Sequence, residues 1–268
     1  MKTNGRTLLV ITTANQVEYT KWAVESIRNC ALQNVDLLVV DDCSIDGTVQ
    51  YCNEQKIPVY TKTKPLGLTN SWNVGYKYFK ENNYQNLILA NNDILVPQGA
   101  IENLLECLEK DILVGVMSSL KGVTFDPIQA LKSNHTISID DENPDNYQKI
   151  QDHLNNLKSE SKTKIEKTIN GFFFGLNRSV SKYELPDGNL FDPLNINVGN
   201  ESELCERIKE EKVFCLLSFV FHYKGISFGD HKIDKNYDYG RNLTWADAKM
   251  LKKSILKQYW YRFKKKIL

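Results

Sequence analysis

Residues 7–12 (Thr-Leu-Leu-Val-Ile-Thr) are all apolar or β-branched. A run with no polar alternation predicts a strand buried on both faces. Residues 36–40 repeat the pattern and end in Asp41-Asp42. Residues 58–61 give a short third strand, and 86–90 a fourth that ends in Asn91-Asn92-Asp93. Between these runs the period becomes helical. Over 19–30, Trp22, Ala23, Ser26, Ile27 and Cys30 fall on one spacing. Helices are also predicted over 48–55 and 68–81, the first with Ser44 and Asp46 as capping groups. Pro97 opens another, running to about 110, and 111–119 is apolar again. Strands alternating with helices predict an α/β fold: a mostly parallel central sheet with helices on both faces. Ligands of such sheets bind beyond the carboxyl ends of the strands, where both acidic motifs stand.

From 121 to 167 the pattern becomes polar, with one helix predicted over about 146–157. This stretch reads as an insert or a solvated surface excursion. Apolar runs return at 169–176 and 190–193, followed by a helix near 201–211 and a strand over 213–221. The last segment, 244–268, is helical in pattern and basic. Trp245, Leu251, Ile255, Tyr259 and Phe263 alternate with Lys252, Lys253, Lys257, Arg262 and Lys264 to Lys266. Such a helix fits peripheral contact with an anionic membrane face, and equally a solvated face packed on the domain. The chain thus divides into 1–110, 111–230 (with the polar insert at about 121–168) and a helical tail, 231–268.

Composition narrows the classes. The 268 residues, 41% hydrophobic and 25% charged, suit one large domain or two packed halves. A net charge of +1 argues against a nucleic-acid partner. None of the six cysteines forms a C-x-x-C pair or a zinc-spaced cluster, so free buried thiols in a reducing compartment are expected. The apolar run at 8–11 is too short for a signal peptide, and no stretch reaches membrane-spanning length. The expected location is cytoplasmic.

Three motifs carry chemistry. Asp41-Asp42, after a buried strand, can accept hydrogen bonds from a nucleobase or ribose, though an Asp there is often only a turn residue. Asn91-x-Asp93 offers hard oxygen ligands for a divalent cation, or is an ordinary turn. Pro65 to Gly75 is a Gly- and Asn-bearing loop entering a helix, where Gly67 permits close backbone approach.

Together, and in this order, the motifs resemble those of the inverting family 2 glycosyltransferases of the GT-A fold. Val10-Ile11-Thr12-Thr13 is similar to that family's first nucleotide-facing strand. Val39-Val40-Asp41-Asp42-Cys43-Ser44-Ile45-Asp46-Gly47-Thr48 resembles its V-D-D-x-S-x-D-G-T signature. Leu66-Gly67 through Asn73-Val74-Gly75 resembles its N-x-G-x-x-x-A-x-N-x-G loop, with Pro65 in place of Asn. Asn91-Asn92-Asp93 resembles the N-N-D form of the metal motif, common in rhamnosyltransferase-like members. Gly171 to Gly175 resembles the acceptor-side T-G-A segment, with Asn170 for Thr. Phe191-Asp192, Glu201-x-Glu203-Leu204-x-x-Arg207 and His222-x-x-Gly225-x-Ser227 resemble the later elements. The resemblance spans about 6–229.

The resemblance implies a GT-A (Rossmann-like) sheet with a nucleotide-sugar-binding half, 1–110, and an acceptor-binding half, 111–230. Thr12, Thr13, Asn15, Asp41, Asp42, Gly67, Asn73 and Asn92 would surround a nucleoside-diphosphate sugar. Asp93, Asn91 and His222 would hold Mn²⁺ or Mg²⁺. Glu201 would be the catalytic base, with Glu203 as the second acid and reserve. The family has Glu-Asp where this chain has Asn200-Glu201, so the base carries a longer arm. The implied reaction is inverting transfer to a glycan or lipid-linked acceptor, in cell-surface polysaccharide or glycan synthesis. The N-N-D form favours dTDP- or UDP-sugars.

Three rivals stand beside it. A nucleotidyltransferase wants a Gly-rich, basic loop after the first strand, which Thr12-Thr13-Ala14-Asn15 is not. A dinucleotide oxidoreductase wants G-x-G-x-x-G there. A catalytically inactive carbohydrate-binding or assembly module would keep the fold, and the altered Asn200-Glu201 pair supports it.

Overall fold

A computed structural model describes residues 5–118, 146–156, 163–197 and 199–223. The first half builds β1 (Thr7–Thr13), α1 (Val17–Asn29), β2 (Val35–Asp41), α2 (Thr48–Glu54), β3 (Val59–Thr61), α3 (Gly67–Glu81), β4 (Asn86–Asn91), β5 (Ile94–Leu95) and α4 (Ala100–Leu108). The second builds β6 (Leu113–Met117), α5 (Tyr147–Asn156), β7 (Thr163–Glu166), β8 (Phe173–Asn177), α6 (Asn200–Arg207), β9 (Lys212–Phe219) and β10 (Phe221–His222).

Among the described residues, eight strands form one sheet in the order β3-β2-β1-β4-β8-β6-β9-β7, and β5 pairs with β10 in a separate ribbon. β3, β2, β1 and β4 run parallel to one another, as do β6 and β9. β8 lies antiparallel between β4 and β6, and β7 antiparallel on the edge beside β9. The sheet is therefore continuous from the first half into the second. Its fold is the GT-A, Rossmann-like arrangement expected.

Both faces are covered, which explains the unbroken apolar strands. Successive side chains on a strand point to opposite faces. Leu9 and Ile11 pack with Ala23, Val24 and Ile27 of α1 and Leu104 and Leu108 of α4. Leu8 and Val10 pack with Trp72, Tyr76 and Phe79 of α3 and Leu204 of α6.

The structure moves several expected boundaries. The helix expected from Pro97 starts at Ala100 instead, because Gly99 takes the N-cap with φ +96. The helix expected over 201–211 ends at Arg207, where Ile208 turns extended toward β9. The strand expected over 213–221 is two strands, β9 and β10, broken at Val220. The polar insert contains β7, paired along Thr163–Glu166 with β9. Among the described residues, no helix is long and apolar enough to cross a membrane. The basic helix expected over 244–268 lies outside them. All six cysteines are free, and every one but Cys43 is buried.

Candidate active site

The carboxyl ends of β1, β2 and β4 stop in register, with Thr13 opposite Asp41 and Thr12 opposite Asn91. Both Asp41 oxygens accept the Ser44 N–H at 3.2 Å, a turn closed by the side chain. Burial raises the Asp41 carboxyl above its ordinary range, and the Ser44 bonds partly offset this. Asn15 joins the β1 and β2 loops. Its N–H donates to Ser44 Oγ at 2.6 Å, and its Oδ1 accepts the Ile45 N–H at 2.9 Å. Asp46 accepts from the Val17 N–H at 2.8 Å and from the Thr48 hydroxyl at 2.6 Å, so one carboxylate serves the starts of α1 and α2.

Asp42 faces the other way. It accepts the Leu66 N–H at 2.9 Å and the Gly67 N–H at 2.8 Å, and pairs with buried Lys62 at 2.5 Å. The Lys62 ammonium also donates to Gly67 O at 3.1 Å and Ser71 Oγ at 2.8 Å. Burial lowers the Lys62 pKa, against the pull of Asp42. Gly67 has φ +80, and a Cβ there would lie 2.5 Å from Ile196 Cγ2. This glycine therefore serves the close approach of the 195–197 segment.

Asp93 and His222 meet at the end of β4. Asp93 Oδ1 is buried without an aligned hydrogen bond. His222 Nε2 is 3.3 Å from it, close enough to pair but off the hydrogen-bond direction. The His222 ring stacks on Phe172 at 4.9 Å with planes 14° apart. The Phe172 carbonyl in turn accepts the Asn91 N–H at 2.9 Å. Two buried atoms able to bear lone pairs thus lie side by side, and the Asn91 end of β4 is tied to the same residue. A hard oxygen and an imidazole nitrogen suit a divalent cation. Among the described residues, no group of three His, Cys, Asp or Glu side chains gathers. Any cation here would need oxygen ligands from its substrate or from water.

Gly171, next to Phe172, reaches the other acidic group. Its amide hydrogen-bonds Glu201, which sits in the first turn of α6 and is buried. Burial pushes the Glu201 carboxyl up to about 7. A Cβ on Gly171 would lie 2.7 Å from Trp72 and 3.3 Å from the Glu201 carboxyl carbon, so no side chain fits there. Glu203 is committed elsewhere. It takes the Arg207 Nε at 2.6 Å and NH2 at 2.8 Å, and Arg207 also donates to the carbonyls of Tyr183 and Leu190. This separates the two acids: Glu201 is held at the Gly171 edge, and Glu203 clasps the 183–190 segment.

A sequence model described as glycosyl transferase family 2 matches residues 8–182, well over half of the chain. The chain belongs to glycosyl transferase family 2. No curated protein sequence matches it. Solved structures do. GalNAc-T7, in a crystal structure with UDP, GalNAc and Mn²⁺, superposes with a TM-score of 0.58 at 16% identity, covering 81% of this chain and 44% of that one. TarS of S. aureus, residues 1–349, gives 0.55 at 12% identity, covering 81% and 60%. The mannosyltransferase PcManGT from Pyrobaculum calidifontis, with GDP-Man and Mn²⁺, gives 0.52 at 11%, covering 81% and 56%. The chain spans about half the length of these structures.

In this family 2 chain the expected site residues divide into two sets. Thr12, Thr13, Asn15, Asp41, Asn91 and Asp93 share the sheet edge, and Gly171-Phe172 links that edge to His222 and Glu201. Asn92, Asn73, Asp42 and Gly67 hold the frame. Asn92 Nδ2 donates to Thr13 Oγ1 and Thr20 Oγ1, both at 3.1 Å. Asn73 donates to Phe191 O at 2.8 Å and accepts the Phe191 N–H at 2.9 Å. Trp72 packs in the core against Phe174 and Phe191. Lys62 escaped the sequence reading, since a lone lysine after a short strand carries no pattern. Two cavities of about 410 and 420 Å³ lie at the opposite edge, near Gln33 and Glu106 and near Arg6 and Tyr84. Neither includes a residue of this site, and the chemistry of the carboxyl edge outweighs their size.

Proposed function

We propose that this chain transfers a sugar from a nucleoside-diphosphate sugar to an acceptor hydroxyl, with inversion and with Glu201 as the general base. The observation that carries the reading is the Glu201 carboxyl, buried at the Gly171 edge and raised to about 7. A base of that strength is matched to proton transfer near neutral pH. Thr12, Thr13, Asn15 and Asp41 form the nucleoside side. Asp93 and His222, with Asn91, would hold Mn²⁺ or Mg²⁺, which when bound neutralises charge developing on the leaving diphosphate. Two of the similar structures carry Mn²⁺ with a nucleotide or nucleotide sugar, which supports this assignment.

Glu201 takes the acceptor hydroxyl's proton as the new glycosidic C–O bond forms on the face opposite the leaving group. The anomeric C–O bond to the diphosphate breaks with its electron pair going to the diphosphate. The Gly171 amide keeps the carboxylate aimed, and the buried setting keeps water from levelling its basicity. Family membership supports a saccharide or lipid-linked acceptor.

The test is nucleoside diphosphate release from a panel of UDP-, GDP- and dTDP-sugars with Mn²⁺. The wild-type chain should turn over at least one donor. Glu201→Gln should still be stabilised by the corresponding nucleotide and Mn²⁺ yet release none. Wild-type turnover in Glu201→Gln would falsify the base assignment. No release from any donor by the wild type would favour the inactive binding module.

A further inference from the structure

The transfer step uses Glu201 and gives no role to Asn200, its neighbour in the first turn of α6. Asn200 is 1% exposed, and both ends of its side chain are engaged. Its Oδ1 accepts the Glu201 N–H at 3.1 Å, and its Nδ2 donates to Thr69 Oγ1 at 3.1 Å. The Thr69 hydroxyl, equally buried, donates in turn to the Asn195 carbonyl. The directions are fixed at both ends. A backbone N–H can only donate and a carbonyl can only accept, so Thr69 gives its proton to Asn195 and must receive one from residue 200. An amide meets both demands at once. A carboxylate there could accept from Glu201 but could not donate to Thr69, and it would set a second charge beside a buried acid.

Thr69 belongs to the start of α3, which is itself tied down. The first amides of a helix have no partner within it. Here Asp42 takes those of Leu66 and Gly67, Asn197 Oδ1 takes that of Leu68 at 3.0 Å, and the Ile196 carbonyl takes that of Thr69 at 3.0 Å. Lys62 closes the same turn through Asp42, Gly67 O and Ser71 Oγ. A helix N-terminus open to solvent can hold an anion. This one is filled by the chain's own carboxylate and by the 195–197 segment, so it serves as an anchor. α6 opens on Gly199, with φ +75 and no side chain to cap it. The Asn200 amide extends the anchor at α3 to that first turn.

We propose that Asn200 is a positioning residue: through Thr69 it fixes the first turn of α6 on the start of α3 and so holds the Glu201 carboxylate in place for the acceptor hydroxyl. The proposal rests on the glycosyl-transfer reading above. Gly171 contacts that carboxylate directly, and the Asn200 bond to the Glu201 N–H fixes the backbone from which it projects. A shift of about 1 Å at a reacting group can slow a reaction on the order of a hundredfold, so a bond to the backbone of the base bears on rate without touching substrate.

The test uses the full chain and three small substitutions. Thr69→Val removes the hydroxyl and Thr69→Ser keeps it. Asn200→Asp is assayed at about pH 8, where an introduced carboxyl is ionised and cannot donate. Nucleoside diphosphate release is followed with a donor that the wild type turns over. Thr69→Val and Asn200→Asp should lower kcat about tenfold or more, with donor KM and stabilisation by nucleotide and Mn²⁺ within about twofold of wild type. Thr69→Ser should stay within about twofold on both counts. In Thr69→Val the rising limb of the pH–rate profile should move toward lower pH, because a loosened first turn lets water reach the carboxyl. Unchanged kcat in Thr69→Val or Asn200→Asp overturns the proposal even if the melting temperature falls, since lost packing alone would do that. An equal loss in Thr69→Ser also overturns it, because the hydroxyl would then not be the link. If the wild type releases nothing from any donor, the transfer reading falls, and the carboxyl is followed without turnover. The melting-temperature advantage of Glu201→Gln at about pH 8 should shrink in a Thr69→Val background. A shrunken advantage leaves the positioning of Glu201 standing without the transfer, and one of full size overturns it as well.

Discussion

Burial raises the Glu201 carboxyl from 4.5 to about 7, so near neutral pH it is divided between acid and carboxylate. Only the carboxylate can accept a proton. Transfer is therefore expected to rise with pH through about 7 and then level, and a pH–rate profile without that limb counts against Glu201 as base. The same group works against stability. Between 4.5 and about 7 the folded chain binds more protons here than the unfolded chain does, so stability falls as pH rises through that window. Glu201→Gln should accordingly melt above the wild type at about pH 8. It should lose that advantage below 4.5, where the wild-type carboxyl is already protonated in both states. Glu203 should behave differently. Its carboxylate grips Arg207 in a half-buried pair, and Arg207 holds two carbonyls. Glu203→Gln is expected to cost about 1–3 kcal/mol of stability, read by denaturant titration. Its effect on turnover should track that loss rather than the pH limb. Sequence spacing placed both acids on α6, but only their partners separate the acid buried at the Gly171 edge from the one that clasps the 183–190 segment.

At the scale of elements, the segment entering β8 joins the two parts of the candidate site. Phe172 holds Asn91 and His222, and Gly171 holds Glu201. Gly171→Ala would drive a Cβ to 2.7 Å from Trp72 and 3.3 Å from the carboxyl of Glu201. Trp72 is locked between Phe174 and Phe191, so the Gly171 backbone has to withdraw from it, and the Glu201 carboxylate that this backbone holds is displaced with it. The expected outcome is a large fall in kcat with nucleotide and Mn²⁺ affinity within about twofold of wild type, since a misplaced base misses the transition state but not the donor. An unchanged kcat would place Glu201 outside the reaction. The β8 segment was legible as an apolar run, but its antiparallel direction was not. Hydrophobic period reports that a strand is buried, never which neighbour it pairs with. β7 was hidden for the converse reason. On the edge of the sheet, Lys164 and Glu166 alternate with Thr163 and Ile165, and Ile165 is itself 57% exposed. Such a strand reads as polar surface.

For the whole molecule, the donor side can be tested without an acceptor. A nucleoside diphosphate and Mn²⁺ together should raise the melting temperature more than either alone, because a ligand stabilises the state that binds it. Asp93→Ala should abolish the Mn²⁺-dependent increment while keeping the far-ultraviolet circular dichroism of the wild type. A preserved increment would remove Asp93 from the cation site. Across the chain, the apolar runs, their alternation with helices and the acidic ends of β2 and β4 were written in the sequence. These follow from local period and from side-chain chemistry that needs no partner. What each polar residue does was decided by tertiary contact. Asp41 and Asp42 are neighbours of one type, yet one closes a turn at the sheet edge and the other meets buried Lys62 and the start of α3. Asn91, Asn92 and Asp93 likewise divide: Asn91 is tied to Phe172, Asn92 to Thr13 and Thr20, and Asp93 lies against His222. A carboxylate or amide takes its role from the groups that reach it, and those come from residues tens of positions away that only folding brings within bonding distance.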